Sequence, residues 1–288
     1  MSIVRDALVV NLAIGQWVGQ RLDKGASRKV TEDAGADADA ARVNKHLVPK
    51  ETLLPIQQAA TAVRNHYYSK TLPWRDNGDR LLTRKMFTIF MDEHGPMKEK
   101  WQAEVDTFLA TTYPSAVARA EFRMGELFNA DDYPSVDQLR TRFHITLDLD
   151  AVTDAKDFRV KLEDEQLDEV RTQMEDAMRS RLQKAVGDIW TRLGDTLEHF
   201  QRTMADPAKV FRDSTVENLK EIVEMLPNLN VLDDPHLNEL GVAITKNLLG
   251  WEAKDLRKQP EARAQVASAA AGILESFSQY AEMFAGVQ

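Results

Sequence analysis

The side chains best equipped for acid–base or metal chemistry are six histidines, His46, His66, His94, His144, His199 and His236, set among 46 acidic residues. A catalytic zinc site needs such groups to converge, and His-x-x-x-His or Glu-x-x-His spacing on a helix is the usual device. None of the six stands in either pattern. Cysteine is absent, which removes thiolate nucleophiles, disulfides and iron–sulfur ligation. Asp148-x-Asp150, followed by Asp154 and Asp157, offers oxygen ligands to a hard cation. A strand end running into a solvated turn would have the same composition, and that plainer reading is preferred. The Asp33, Asp37 and Asp39 cluster lacks the spacing of an EF-hand loop. Phosphate cradles fail as well, since neither Gly-x-x-x-x-Gly-Lys-Ser/Thr nor Gly-x-Gly-x-x-Gly occurs. Gly15 and Gly19 only echo such a turn, with the bulky Trp17 between them. No catalytic residue, cofactor or metal site is expected.

One segment does concentrate recognition chemistry. Arg64-Asn65-His66-Tyr67-Tyr68-Ser69-Lys70 runs into Trp74-Arg75-Asp76-Asn77-Gly78-Asp79-Arg80. Aromatic rings interleaved with guanidinium groups stack on bases and anchor protein interfaces. Tyr67, Tyr68, Trp74, Arg75 and Arg80 are therefore the candidate partner-binding residues. The competing explanation is structural: a helix end and turn pinned by Trp74, with Arg75 and Asp79 pairing locally.

The elements that must carry these residues follow from hydrophobic spacing. The chain has 288 residues, a formal charge of −9 and 43 % hydrophobic residues. That charge disfavours a general polyanion binder, though not a local basic groove. No apolar run approaches the ~20 residues of a membrane span, and the N-terminus does not read as a secretory signal. A soluble, cytosolic protein is expected. The fold class is predicted as mainly α, with long helices, helical hairpins and a small antiparallel three-stranded sheet. Its strands would be Ala7–Ile14, Phe143–Leu149 and Phe158–Leu162. Gln16–Lys24 reads as helical and Gly25–Asp39 as a mobile loop. A helix over Lys50–Tyr68 should turn Leu54, Ala59 and Val63 inward. Gly95-Pro96 punctuates before a helix over Pro96–Ala110, and Tyr113-Pro114 breaks the chain before another that pairs back to about Phe128. Tyr133-Pro134-Ser135 opens a shorter helix ending near Arg142.

Glu163–Ala205 is the strongest helical signal, with apolar residues recurring about every 3.7 positions, close to the pitch of a nearly straight helix. Its stripe reads as core or oligomer seam, coiled-coil-like in length. Ser214 and Glu217 fit a capping box for a helix ending at Pro227. Asp234-Pro235 starts the next, and the last spans about Glu261–Phe284. Two regions are expected: 1–162 with the sheet and a helical hairpin, and 163–288 with the long helix, packed as a continuous unit with the first.

Three blocks carry a resemblance: Ala7-Leu8-Val9-Val10-Asn11-Leu12-Ala13-Ile14-Gly15-Gln16-Trp17, Thr71-Leu72-Pro73-Trp74-Arg75-Asp76-Asn77-Gly78-Asp79-Arg80, and Val210-Phe211-Arg212-Asp213-Ser214-Thr215-Val216-Glu217-Asn218-Leu219. With Leu226-Pro227-Asn228-Leu229 they spread over most of the chain, and together they resemble a family of tailed-bacteriophage proteins with no assigned activity. The resemblance implies a phage protein in the cytoplasm of an infected bacterium, with a AAA ATPase of the MoxR type as one implied partner. Long helices without a catalytic signature point to a non-enzymatic interaction or assembly protein that acts through helical surfaces and self-associates. The alternative is a nucleic-acid-related or host-defence-inhibiting protein using the His66–Arg80 surface or acidic helix faces.

Overall fold

The computed structural model describes residues 6–153 and 164–285. The chain is mainly α-helical with a minor antiparallel β part, as its periodicity predicts. It divides into two compact units that are discontinuous in sequence. One gathers Met1–Asn11, Tyr68–Ile89 and Leu149–Gln288; the other gathers Leu12–Tyr67 and Phe90–Asp148.

The β-branched run at the start forms β1 (Ala7–Gly15), whose Ala7, Val9 and Val10 are buried. The sheet around it is larger than the expected three strands. Its order is β4–β5–β1–β6, with β4 at Leu72–Pro73, β5 at Arg80–Thr83 and β6 at His144–Ala151. The expected strand over Phe158–Leu162 lies outside the described residues. Two strands went unforeseen because Leu72-Pro73 reads as a breaker, whereas Asn77-Gly78 is a hairpin turn that lets β4 fold back on β5. A second sheet pairs β2 (Gln20–Asp23) with β3 (Val43–His46). Gln20–Asp23 is therefore strand, not helix.

Within the second unit, α1 (Lys24–Asp33) takes up the first part of the loop expected over Gly25–Asp39, and residues 34–39 stay irregular. Asp23 accepts from the Ala26 amide at 2.9 Å, an N-cap that a composition argument overlooks. α2 (Leu54–Lys70) buries Ala59 and Val63 as predicted, but Leu54 is 47 % exposed, because the helix begins there rather than at Lys50. α3 (Arg84–Thr107) runs straight through Pro96. Pro96 is exposed, and so is Asp92, the residue whose carbonyl it cannot serve. Nor does Tyr113-Pro114 break the chain: a π-helical turn over Phe108–Thr112 leads into α4 (Tyr113–Ala118), then α5 (Ala120–Met124). Ser135 and Gln138 form a full capping box at the start of α6 (Val136–Arg140). The core joins Trp17, Ile56, Val63, Trp101, Phe108 and Phe143. Gly15 is glycine for packing rather than for a phosphate, since a Cβ there would collide with the His144 ring. Gly19 has φ +65° and a close approach to Leu53 and Val48.

The first unit is organised by α7 (Asp164–Ala205), about 60 Å long at 1.5 Å per residue. It packs with α8 (Ser214–Leu229) and α11 (Pro260–Ala285). Between them lie α9 (Pro235–Leu248) and the short α10 (Ala253–Lys258). α7 stops at Asp206-Pro207, where the buried Arg263 of α11 takes over its last carbonyls. Its guanidinium donates to the carbonyls of Thr203 at 2.7 Å, Met204 at 3.2 Å and Asp206 at 2.5 Å. The predicted Ser214–Glu217 box is replaced: Asp213 is the N-cap of α8, and its carboxylate accepts from Arg257 at 2.6 Å instead of capping. Pro227 lies inside α8 rather than ending it. Asp234 caps α9 through the His236 amide at 2.9 Å, as expected.

Candidate functional site

The five candidate residues separate into two groups. Tyr67 is 2 % exposed and meets the edge of Phe90 in the core of the second unit. Trp74, also 2 % exposed, is buried in the first unit with the Arg181 guanidinium 5.9 Å from its ring centroid. Neither ring is presented to a partner. Trp74 pins the turn, because apolar surface that large gains most by leaving water.

Around Trp74 the turn closes on its own backbone. The amides of Trp74 and Arg75 both donate to the Asp79 carbonyl, at 3.1 and 3.2 Å. Gly78 supplies the φ of +96° that this reversal needs. The Asp79 carboxylate accepts from Asn11 at 2.9 Å and from Arg75 at 3.0 Å, so Arg75 is occupied locally. The Asn11 hydrogen bond above all, then Asn77 and Arg75, holds the Asp79 carboxyl below the ordinary aspartate range against the opposing cost of burial.

Tyr68 and Arg80 remain at the surface and are brought together. Tyr68 is 54 % exposed, at the end of α2, and the Arg80 guanidinium lies 4.9 Å from its ring centroid. Arg80 is held in that pose by donating to the Thr71 hydroxyl and the Thr71 carbonyl, each at 2.7 Å. Across from it, Arg192 of α7 donates to the carbonyls of Ser69 at 3.1 Å and Thr71 at 2.9 Å, and pairs with Asp188 at 2.5 Å. The two guanidinium groups thus converge on one buried carbonyl. They frame a groove of about 550 Å³ whose floor is Ile222 and Met225 of α8, with Asp188 and the exposed Asp195 on the α7 wall.

The α7 and α8 walls escape sequence reasoning, since they lie more than a hundred residues from Tyr68. The Asp188–Arg192 spacing of four was a visible local signal, but of a helix salt bridge and nothing more. This arrangement supplies a stacking face, directed N–H donors and an acidic rim.

Elsewhere, His66 and His94 stack in the second unit, where His66 contacts the Phe90 carbonyl at 3.1 Å and Glu93 at 3.2 Å. Burial, then the nearby His66 and Lys98, pushes His94 below the ordinary histidine value. Asp148 and Asp150 are exposed on β6, while Asp154 and Asp157 lie outside the described residues. Among the described residues, no three His, Asp or Glu side chains are placed to hold a metal ion. No described helix is long and apolar enough to cross a membrane.

Compared with known proteins, the chain matches no family model, no curated protein and no solved structure.

Proposed function

We propose that the chain is a non-enzymatic interaction protein that grips a protein partner through the Tyr68–Arg80 groove. The observation that supports it is the fixed pairing of an exposed aromatic ring with an arginine. Arg80 is locked by two hydrogen bonds to Thr71, so Tyr68 is offered against a rigid neighbour and little side-chain entropy is lost on binding. Tyrosine and arginine over a partly apolar floor are the chemistry of interface hot spots. The acidic rim of Asp188 and Asp195 suits a partner segment with basic side chains and disfavours a phosphate backbone. With the resemblance drawn from its sequence blocks, the reading is a phage-encoded assembly component in an infected bacterium, and a AAA ATPase is one partner to test.

The experiment compares wild type and Tyr68→Ala as baits in extracts of infected cells, with the melting midpoint of each measured in parallel. Partners retained by the wild type and lost by Tyr68→Ala, at an unchanged midpoint, support the groove. Equal retention by both overturns it. Steeply salt-dependent DNA binding that Tyr68→Ala abolishes would transfer the groove to nucleic-acid recognition.

A further inference from the structure

In the helical unit, α9 carries a stripe that its own fold leaves in water. Pro235, Glu239, Val242 and Lys246 recur at alternating spacings of four, three and four residues, so they share one helix face. All four are exposed, Val242 at 68 %. Beside the stripe runs a groove of about 390 Å³, formed by Val223, Leu226 and Pro227 of α8 with Leu237, Gly241 and Val242 of α9. Its walls are apolar, and Gly241 leaves Val223 and Leu226 within van der Waals reach of the α9 backbone.

The charges on this face choose its occupant. Glu239 and Lys246 stand symmetrically about the point between Val242 and Ala243. If a second α9 lies antiparallel across this point on a twofold axis, Glu239 of each copy faces Lys246 of the other. The two Val242 side chains then flank the centre, next to the two apolar grooves. A twofold contact requires a self-complementary patch, and this one is so in charge. On its own helix Glu239 reaches only as far as His236, at 3.7 Å, a loose contact that leaves its carboxylate able to turn outward.

We infer that a second copy of this chain docks on α9, antiparallel, with the twofold axis passing between Val242 and Ala243. The inference rests on the reading that the protein works by association through its helical faces, and it names the self-associating one.

Analytical ultracentrifugation of the full chain over a range of concentrations tests it. The wild type should sediment as a dimer, and Val242→Asp as a monomer with the same far-UV helical signal. Glu239→Lys and Lys246→Glu should each be monomeric, because each places like charges in contact at both symmetric positions. Mixed together, the two single variants should recover a dimer, since every facing pair is again opposite in sign. The double variant Glu239→Lys/Lys246→Glu should dimerise alone. A wild type that stays monomeric, or a dimer indifferent to all these changes, overturns the inference. Partner capture through Tyr68 is read separately. A failed dimer with capture intact removes only the α9 contact, and lost capture with an intact dimer removes only the groove.

Discussion

The two halves of α7 share one apolar spacing and differ in what covers it. From Ala185 to Met204 the stripe is buried, with Ala185, Val186, Ile189, Leu193, Leu197 and Phe200 closed off by neighbouring helices. Trp190 meets Phe277 and Tyr280 of α11 at centroid distances of 5.4 and 6.5 Å. From Asp168 to Lys184 no residue is buried, and Val170, Met174, Met178 and Leu182 are only half covered. Among the described residues, the short hairpin turn reaches that half: Trp74 meets Arg181, and Asp76 meets Lys184. Helix propensity is a weak contributor over such lengths. The C-terminal half is thus stabilised by burial, while the N-terminal half depends on continuity with it and on a few polar attachments. Periodicity names the face of a helix that seeks cover and is silent on whether anything covers it.

The largest effects should fall where the covering is complete. Trp74→Ala removes a fully buried indole and should cost about 3–5 kcal/mol, and Ile189→Ala about 2–5 kcal/mol, read as denaturation midpoints. Leu182→Ala, on the same stripe seven residues earlier, should cost only about 1 kcal/mol. Equal losses at Leu182 and Ile189 would show that the two halves are covered alike.

The same distinction explains how far the sequence could be read. The long helix, its limits and its inward face were legible because a period near 3.7 sustained over many turns has one physical solution. Asp234 was legible as a cap because its partner, the His236 amide, lies two residues away. The Ser214 cap was not, because Arg257 diverts the neighbouring carboxylate from a position more than forty residues distant. Pro96 misled for a related reason: whether a lost hydrogen bond matters depends on whether water can replace it, and only tertiary structure decides that. In the candidate site, Trp74 and Tyr67 carry the hot-spot chemistry by type yet lie in the core. Tyr68 and Arg80 carry it by type and by place. Residue type could not separate these pairs, since burial is a property of the assembled fold.

A smaller effect separates two aspartates of the hairpin turn. Asp79 is buried among Asn11, Asn77 and Arg75, and its carboxyl lies below its ordinary value of 3.8. The unfolded chain therefore takes up a proton here before the folded one does. The resulting stability is complete above that ordinary value and is lost as pH falls through the lower folded value. Asp79→Asn, which keeps the shape and removes the titration, should lower stability at neutral pH and flatten the acid limb of the pH–stability curve. An acid limb of unchanged slope would mean that other carboxylates dominate it.

Asp76 supplies the smallest effect and the sharpest version of the comparison. Its carboxyl is also held below 3.8, by the Lys184 hydrogen bond and then by that ammonium's charge. The pair sits at 2.5 Å, but both side chains are largely in water. Exposed pairs gain little net energy, because solvent and salt screen the attraction and two long side chains must be held still. In Lys184→Ala the Asp76 carboxyl, followed by NMR titration, should return toward its ordinary value while the denaturation midpoint stays within error. Raising the salt concentration should produce the same titration shift in the wild type. A midpoint that fell as far as in Leu182→Ala would show that this contact, and not burial further along α7, holds the N-terminal half in place.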